Sequence, residues 1–168
     1  TVGQPYPSTD AWWNRFDSSD LSKFLYSGNW QQRTGTSDYS SNAYYGNGGN
    51  KLKIKFKGTM FRIIAPYTTN ADTQCKISID GGTVETFNEY AATQTYQNLV
   101  YEKLYLENTE HTVELWSDST SAYSYLDCIE IDNTGSLITQ VGCQVTSAEA
   151  SWQRFDGESA YFTFKGSS

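Results

Sequence analysis

Residues 51–82 read KLKIKFKGTMFRIIAPYTTNADTQCKISIDGG and contain the clearest secondary-structure signals of the chain. Between positions 51 and 57, lysine alternates with leucine, isoleucine and phenylalanine. This period of two predicts a β-strand with a solvated lysine face and an apolar face turned toward a core. Exposed lysines also discourage pairing between sheet edges. The stretch ends in Asp80-Gly81-Gly82, which favours a tight turn between two antiparallel strands.

Short strands separated by turn residues continue along the chain from Gly46 onward. Turn signals recur every eight to twelve residues, and no segment has a convincing helical period. Strands are predicted at 51–57, 60–66, 74–80, 84–88, 99–106, 112–116, 125–132 and 136–141. Short strands at regular spacing are typical of an all-β protein, and we expect an antiparallel β-sandwich of the jelly-roll type.

A short motif near the beginning of the chain returns near its end. Residues 13–17, Trp-Asn-Arg-Phe-Asp, recur as Trp-Gln-Arg-Phe-Asp at 152–156. The length of 168 residues suits one domain. Residues 1–144 are therefore predicted to form one module. Residues 145–168 are either the truncated start of a second module or C-terminal strands of the same sandwich, and the sequence leaves both open.

Composition limits the kinds of partner that the chain is expected to bind. The net charge is −7, which disfavours nucleic acid and anionic membrane surfaces because both are negatively charged. No apolar stretch of about 18 residues is present to cross a membrane. Aromatic residues reach 15%, including 13 tyrosines. Their flat faces and polar edges suit neutral polar ligands, although aromatic residues also favour strands.

The three cysteines, Cys75, Cys128 and Cys143, lack the CxxC spacing of a metal or redox site. Cys75 and Cys128 lie in predicted strands and are expected to be small buried hydrophobic residues. A disulfide framework is not expected. The chain is predicted to fold in a reducing compartment, even if the mature protein acts outside the cell.

The order of several short motifs resembles a known family. The motifs are Trp13-x-Arg15-Phe16-Asp17-x-x-Asp20, Tyr26-Ser27-Gly28-x-Trp30, Phe56-Lys57-Gly58-Thr59, Ile77-Ser78-Ile79-Asp80-Gly81, Glu110-His111-Thr112-Val113 and Leu126-Asp127-Cys128-Ile129-Glu130-Ile131. This order resembles the galactose-binding-like jelly-roll modules of bacteriophage tail and baseplate proteins. Similar modules are appended to bacterial glycosidases and esterases. The chain looks most like a carbohydrate-binding module inserted in an enlarged phage distal tail protein.

The resemblance implies a non-catalytic, lectin-like module that takes part in host recognition. Its ligand would be a cell-surface or cell-wall polysaccharide of a Gram-positive bacterium. Its other partners would be phage tail proteins, reached through the parent chain. The implied location is the virion, in the tail or baseplate, acting at the host cell surface; a secreted protein is the alternative. A structural docking module of a tail assembly, or an accessory module of a glycosidase or esterase, is the alternative function.

Catalysis and metal binding have weaker support in the sequence. His111 is the single histidine, and no GxSxG turn is present, so a catalytic triad is not expected. The acidic residues that could pair across a sugar have adequate explanations as turn or strand residues. No catalytic residue, metal ligand or cofactor is therefore predicted. A structural calcium ion held by Asp17, Asp20 and Asp132 is the alternative.

Aromatic side chains in predicted loops are the candidates for saccharide binding. A pyranose packs its C–H face on an aromatic ring, while amides and carboxylates fix its hydroxyl groups. Residues 44–47, Tyr-Tyr-Gly-Asn, are interpreted as a loop that offers both. Trp13 and Trp30 are expected to be packed framework residues. The candidate ligand-binding residues are Trp12, Tyr44, Tyr45, Asn47, Tyr67, Tyr90, Tyr96 and Tyr123.

Overall fold

The computed structural model describes residues 1–144, which form thirteen β-strands and one short 3-10 helix at Tyr39–Ser41. No helix among these residues is long and apolar enough to cross a membrane. The strands are β1 (Trp13–Asp17), β2 (Phe24–Tyr26), β3 (Gln31–Thr34), β4 (Asn42–Gly46), β5 (Lys51–Gly58), β6 (Phe61–Tyr67), β7 (Cys75–Ile79), β8 (Glu85–Phe87), β9 (Thr95–Lys103), β10 (Thr109–Trp116), β11 (Ser124–Leu126), β12 (Cys128–Asp132) and β13 (Ser136–Ile138).

Two antiparallel sheets enclose the hydrophobic core. One has the order β1-β12-β6-β9, and the other has the order β13-β5-β10-β7-β8, with β2 also paired to β5. The apolar face of β5 (Leu52, Ile54 and Phe56) is fully buried, and the Phe56 ring stacks on Phe61 of the opposite sheet at 5.3 Å. The predicted all-β, antiparallel β-sandwich of the jelly-roll type is confirmed.

The alternating lysines of β5 lie on the solvated face, as predicted. Lys51 and Lys53 both pair with Glu114 of the neighbouring β10, and Lys55 pairs with Glu110. These cross-strand ion pairs are exposed and contribute little stability each. Three of the four lysines on this face therefore have a carboxylate partner on the neighbouring strand.

The predicted strands between residues 51 and 116 are confirmed, with bounds that shift by up to four residues. The hairpin between β7 and β8 is also confirmed. Asp80 and Gly81 have φ values of 55° and 66°, which is the left-handed geometry of a tight hairpin turn. The predicted strand 136–141 ends earlier, at Ile138.

Two sequence interpretations were wrong. Residues 125–132 are not one strand, because Asp127 separates β11 from β12 and the two strands belong to different sheets. The buried Asp127 carboxylate accepts the Tyr39 N–H at 2.8 Å, and the Asp127 N–H donates to the Ile64 carbonyl at 3.0 Å. Residues 44–47 are also not all loop, since Tyr44 and Tyr45 belong to β4. Strands β1 to β4 were not predicted at all.

The motif at residues 13–17 attaches β1 to the centre of its sheet. Trp13 is buried, and the guanidinium of Arg62 lies 3.8 Å from its ring centroid. Arg15 Nε donates to Glu130 Oε1 on the paired strand β12 at 3.0 Å. Asp17 ends the strand by accepting the Ser19 N–H at 2.7 Å. The second copy of the motif, at 152–156, lies outside the described residues.

Removing residues 145–168 is expected to leave the melting temperature within a few degrees of the full chain. Within residues 1–144, the buried core cluster runs from Phe24 to Leu137 and closes both sheets of the sandwich on each other. A loss of 1 kcal/mol shifts the melting temperature by roughly 2–4 °C in domains of about this size. Thermal unfolding followed by circular dichroism compares the two chains. A drop above about 10 °C would show that the tail belongs to the same sandwich.

Candidate functional site

A third sheet, with the order β11-β4-β3, lies between two clefts. Successive side chains of a strand point to opposite faces. Tyr44 and Tyr45 are neighbours on β4 and therefore serve different sides of this sheet. Each of them lines a different cleft. The sequence interpretation placed both rings at one site, and the alternation along β4 separates them.

The cleft on the Tyr45 side, called the tyrosine cleft here, has a volume of about 340 Å³ and is open to solvent. Its aromatic surface consists of Tyr45 on β4, Tyr125 on the paired strand β11, and Tyr123 just before β11. Tyr45 stacks on Tyr125 at 5.3 Å between ring centroids, and it meets Tyr123 edge-on at 5.2 Å. The lining residues are Arg33, Tyr45, Thr68, Asn70, Gln94, Tyr123 and Tyr125.

Hydrogen bonds fix the polar groups around these rings. Asn70 Oδ1 accepts from the Thr68 hydroxyl at 3.0 Å and from the Tyr125 hydroxyl at 3.1 Å. The Tyr45 hydroxyl donates to Gln31 Oε1 at 2.8 Å. Burial raises the pKa of Tyr125, so its hydroxyl stays neutral and donates near neutral pH. The Asn70 side chain thus links a loop to the aromatic surface and is held in one orientation.

Arg33 provides a cation at the edge of the cleft. Its guanidinium makes two hydrogen bonds to Asp38, one of them from Nε to Oδ2 at 3.0 Å, and the Asp38 side chain is fully buried. The same guanidinium lies 5.3 Å from the ring centroid of Tyr96 and 5.6 Å from that of Tyr125. Arg33 therefore joins a buried carboxylate to two aromatic rings, and its own charge is balanced locally.

The predicted ligand-binding residues occupy several different places. Tyr45 and Tyr123 line the tyrosine cleft, and Tyr96 stacks against Arg33 beside it. Tyr90 is exposed and lies next to the cleft loop, because it forms a bridge with Thr68.

The other predicted residues lie elsewhere. Tyr67 ends β6 and packs partly against the core. Asn47 donates to the Thr120 carbonyl at 3.2 Å, a contact between loops. Trp12 is 70% exposed and lies beside Asn133, at the end of the sandwich where β12 finishes. Tyr44 lies across the third sheet, in the other cleft.

Sequence reasoning did not select Arg33, Thr68, Asn70, Gln94 or Tyr125 as site residues. Arg33 lies in a four-residue strand whose side chains are mostly exposed, so no alternation pointed to it. Asn70 follows Tyr67 by three residues in a loop after a strand. A polar side chain in a loop directly after a strand was the one sequence signal that could have indicated Asn70 as a binding residue. Tyr125 reads as a buried strand residue, and its ring is indeed mostly buried.

The second cleft, called the indole cleft here, has a volume of about 230 Å³. Tyr26 stacks on Tyr44 at 4.4 Å, and Trp30 lies 5.3 Å from Tyr26. Trp30 packs directly on Gly46, where a Cβ atom would come within 2.7 Å of the indole. Trp30 is therefore a packed framework residue, as the sequence predicted. Gln144, the last described residue, also lines this cleft.

His111 has a structural place. Its Nδ1 lies 2.6 Å from Asp80 Oδ2 and its Nε2 lies 2.8 Å from the Glu107 carbonyl oxygen. Burial lowers the pKa of His111, but the hydrogen bonds to Asp80 and Glu107 outweigh burial and raise it. The ring therefore ties the β7–β8 turn to the start of β10.

The proposed calcium ligands do not meet. Asp17 pairs with Cys128 and Asp132 pairs with Trp13, at opposite ends of the β1–β12 ladder. Four residues along a strand separate them by about 13 Å. Within residues 1–144, no group of three or more histidine, cysteine or acidic side chains is arranged to hold a metal ion.

No protein-family model matches this sequence, and no curated protein matches it either. Solved structures do match. The carbohydrate-binding module CBM35 from Cellvibrio japonicus Abf62 superposes with a TM-score of 0.51 at 14% identity, over 74% of this chain and 96% of that one. The family two carbohydrate esterase from Cellvibrio japonicus gives 0.54 at 16% identity, over 76% of this chain and 35% of the esterase.

A xanthan lyase from Paenibacillus gives a TM-score of 0.52 at 16% identity, over 72% of this chain and 13% of the lyase. The chain thus spans nearly the whole of the binding module, but only a small part of the two enzymes. At these identities the comparisons establish the fold, which is the jelly-roll β-sandwich also found in carbohydrate-binding modules.

Proposed function

We propose that the chain is a non-catalytic carbohydrate-binding module and that the tyrosine cleft is its binding site. The observation that carries the proposal is the convergence of Tyr45, Tyr123 and Tyr125 with Arg33 and Asn70 in one open cleft. Aromatic rings can pack on the C–H face of a pyranose, and guanidinium and amide groups can bind its hydroxyl groups. Within a jelly roll, this combination suits a saccharide better than an apolar ligand.

A neutral polysaccharide is the ligand class that fits the charges. The chain carries a net charge of −7, which repels polyanions. At the cleft, the charge of Arg33 is balanced by the buried Asp38 carboxylate. Binding would rest on stacking and hydrogen bonds. An affinity per site in the millimolar to micromolar range, on the order of 4–8 kcal/mol, is expected and would be multiplied by several copies.

We also propose the biological setting that the sequence motifs imply. The polysaccharide would belong to the cell wall of a Gram-positive bacterium, and the module would sit in a phage tail or baseplate, joined through its parent chain to other tail proteins. The support is the resemblance of the motifs between Trp13 and Asp132. A secreted protein, or an accessory module of a glycosidase or esterase, is the alternative. The division at residue 144 remains a prediction.

A docking module is the second candidate function. Trp12 and Tyr105 are exposed by 70% and 95%. Strand pairing places both at the end of the sandwich opposite the tyrosine cleft. Tyr105 also has a φ of 61°, a strained value for a residue with a side chain. Large exposed aromatic residues are frequent at protein interfaces. This end of the module is therefore where a partner protein would bind.

Changing Tyr123 to alanine is expected to weaken saccharide binding about tenfold or more, equivalent to about 1.4 kcal/mol. The substitution removes a ring that meets Tyr45 inside the cleft. Tyr105→Ala is the matched control, because it removes an exposed tyrosine at the other end. Fluorescently labelled protein is titrated onto Gram-positive cells and onto their extracted wall polysaccharide, with neutral glycans as soluble competitors.

The two variants separate the two candidate functions. Saturable binding that Tyr123→Ala weakens and Tyr105→Ala preserves supports the carbohydrate-binding module. Binding that only Tyr105→Ala weakens would move the site to the opposite end. A wild-type chain that labels no cells and binds no glycan across a broad panel would contradict the proposal and favour the docking module.

A further inference from the structure

Glu89 is a fully buried carboxyl group that touches both walls of the tyrosine cleft. Its Oε2 accepts the Tyr125 N–H at 2.7 Å and the Cys75 thiol at 3.2 Å. Tyr125 lines the cleft and lies on β11. The carboxyl group thus holds the backbone of the strand that carries the aromatic surface.

The backbone of Glu89 holds the opposite wall. Its carbonyl accepts the Thr68 N–H at 3.1 Å, and its own N–H donates to the Asp72 carbonyl at 3.0 Å. The loop from Thr68 to Asp72 therefore depends on Glu89 at both ends. The two walls are also joined directly, because the Tyr123 N–H donates to the Asn70 carbonyl at 3.0 Å. Glu89 therefore contacts both walls, through its carboxyl group on the β11 side and through its backbone on the side of the Thr68–Asp72 loop.

The surroundings of Glu89 suit a neutral carboxylic acid better than a carboxylate. Within residues 1–144, no lysine or arginine pairs with Glu89, and its Oε1 has no hydrogen-bond partner. Burial, with a smaller contribution from the Asp72 carboxyl, raises the pKa of Glu89 to about 8. The group is therefore mostly protonated at pH 7, and it loses its proton in mildly alkaline solution.

Three other titratable groups near Glu89, the side chains of Cys75, Tyr67 and Tyr125, remain neutral over the same pH range. Burial raises the pKa of the Cys75 thiol, and burial together with Glu89 itself raises the pKa of Tyr67. Burial also raises the pKa of Tyr125. Asp72 is fixed on its other side, where its Oδ2 accepts the Ser117 hydroxyl. Compared with Cys75, Tyr67 and Tyr125, Glu89 is thus the group whose charge changes between pH 7 and pH 9.

We propose that Glu89 is a positioning residue of the saccharide site, and that losing its proton separates β11 from the Thr68–Asp72 loop and switches off binding. The inference rests on the proposed function of the cleft. An unpaired carboxylate in a buried site is costly, and water can reach it only if the surrounding walls part. The parting removes the fixed spacing between Asn70 and the rings of Tyr123 and Tyr125.

The test measures affinity for the wall polysaccharide between pH 6 and pH 10 in three proteins. In the wild type, affinity is expected to stay constant up to about pH 8. Above that it should fall about tenfold per pH unit, because only the protonated fraction binds. Glu89→Gln keeps an acceptor for the Tyr125 N–H and cannot ionise, so its affinity should change less than about twofold.

Asp127→Asn is the matched control. Burial, with a smaller contribution from Asp38, also raises the pKa of Asp127 to about 8. Its carboxyl group, however, accepts the N–H of Tyr39, which does not line the tyrosine cleft. This variant should keep the pH dependence of the wild type. A pH dependence that disappears in Asp127→Asn and persists in Glu89→Gln would overturn the proposal.

Hydrogen exchange of the Tyr125 amide provides a readout that does not depend on a ligand. Above pH 8, the Tyr125 amide of the wild type should be less protected from exchange than the same amide in Glu89→Gln. Equal protection in both proteins at every pH would overturn the role of Glu89. A wild type that shows this loss of protection but binds no saccharide at any pH supports the coupling in the fold and contradicts the proposed function alone.

Discussion

Replacing Arg15 with methionine is expected to lower the free energy of unfolding by about 3–5 kcal/mol, because it leaves a buried carboxylate without its main partner. The side chains of Arg15 and Glu130 are 4% and 0% exposed, and Nε lies 3.0 Å from Oε1. The same guanidinium donates to the carbonyl oxygens of Tyr6 and Pro7 at 2.9 and 3.2 Å. The substitution therefore also detaches the N-terminal segment from β1.

Urea unfolding at pH 7 measures this loss, and a double variant tests its cause. Changing Glu130 to methionine as well removes the unpaired charge, and it should recover much of the stability, since apolar pairs often replace buried ion pairs without cost. Arg62 lies 3.6 Å from Glu130, but it keeps its stronger contact with Glu102 at 2.6 Å. A single-variant loss below about 1 kcal/mol would show that Arg62 alone satisfies Glu130.

The strands of the sandwich could be predicted from sequence where one face of the strand is exposed to solvent and the other is buried. Strand β5 follows that rule at every position from Lys51 to Phe56, and its lysines pair with β10 as exposed cross-strand neighbours. The turn at Asp80 and Gly81 was readable because few residues accept positive φ values. Both signals are local in the sequence, so no knowledge of the tertiary structure was needed to read them.

The first four strands escaped prediction because their side chains do not alternate in this way. In β3, three of four residues are exposed, and β2 has only three residues. The break at Asp127 was equally hidden, since an aspartate inside an apolar run forms its hydrogen bonds with Tyr39 and Ile64, which are distant in sequence. Such contacts are properties of the folded chain.

The tyrosine cleft contains only some of the residues that the sequence predicted for binding. Tyr45 and Tyr123 line the tyrosine cleft, but Tyr45 lies on β4 and not in a loop. The alternation of β4 then turns Tyr44 away, which follows from one strand assignment that the sequence did not provide. Arg33 could not be found from sequence, because its place depends on the pairing of β3 with β4 and on the buried Asp38.

Replacing Arg33 with methionine is expected to damage both stability and binding. The Asp38 carboxylate would remain fully buried without its partner, at a cost of about 3–5 kcal/mol. The rings of Tyr96 and Tyr125 would lose the cation that lies over both. Saccharide affinity should fall about tenfold or more, because the cleft also loses its guanidinium donors. Urea unfolding and polysaccharide titration measure the two effects separately.

A second substitution separates the two roles of Arg33. Asp38→Asn in the Arg33→Met background removes the buried charge, so unfolding stability should recover in part while affinity stays low. Recovery of affinity together with stability would mean that Arg33 acts only by holding the fold, and the binding surface would then reduce to the tyrosines and Asn70. Low affinity in a stable double variant would instead show that binding needs the guanidinium itself, either in contact with the sugar or over the rings of Tyr96 and Tyr125.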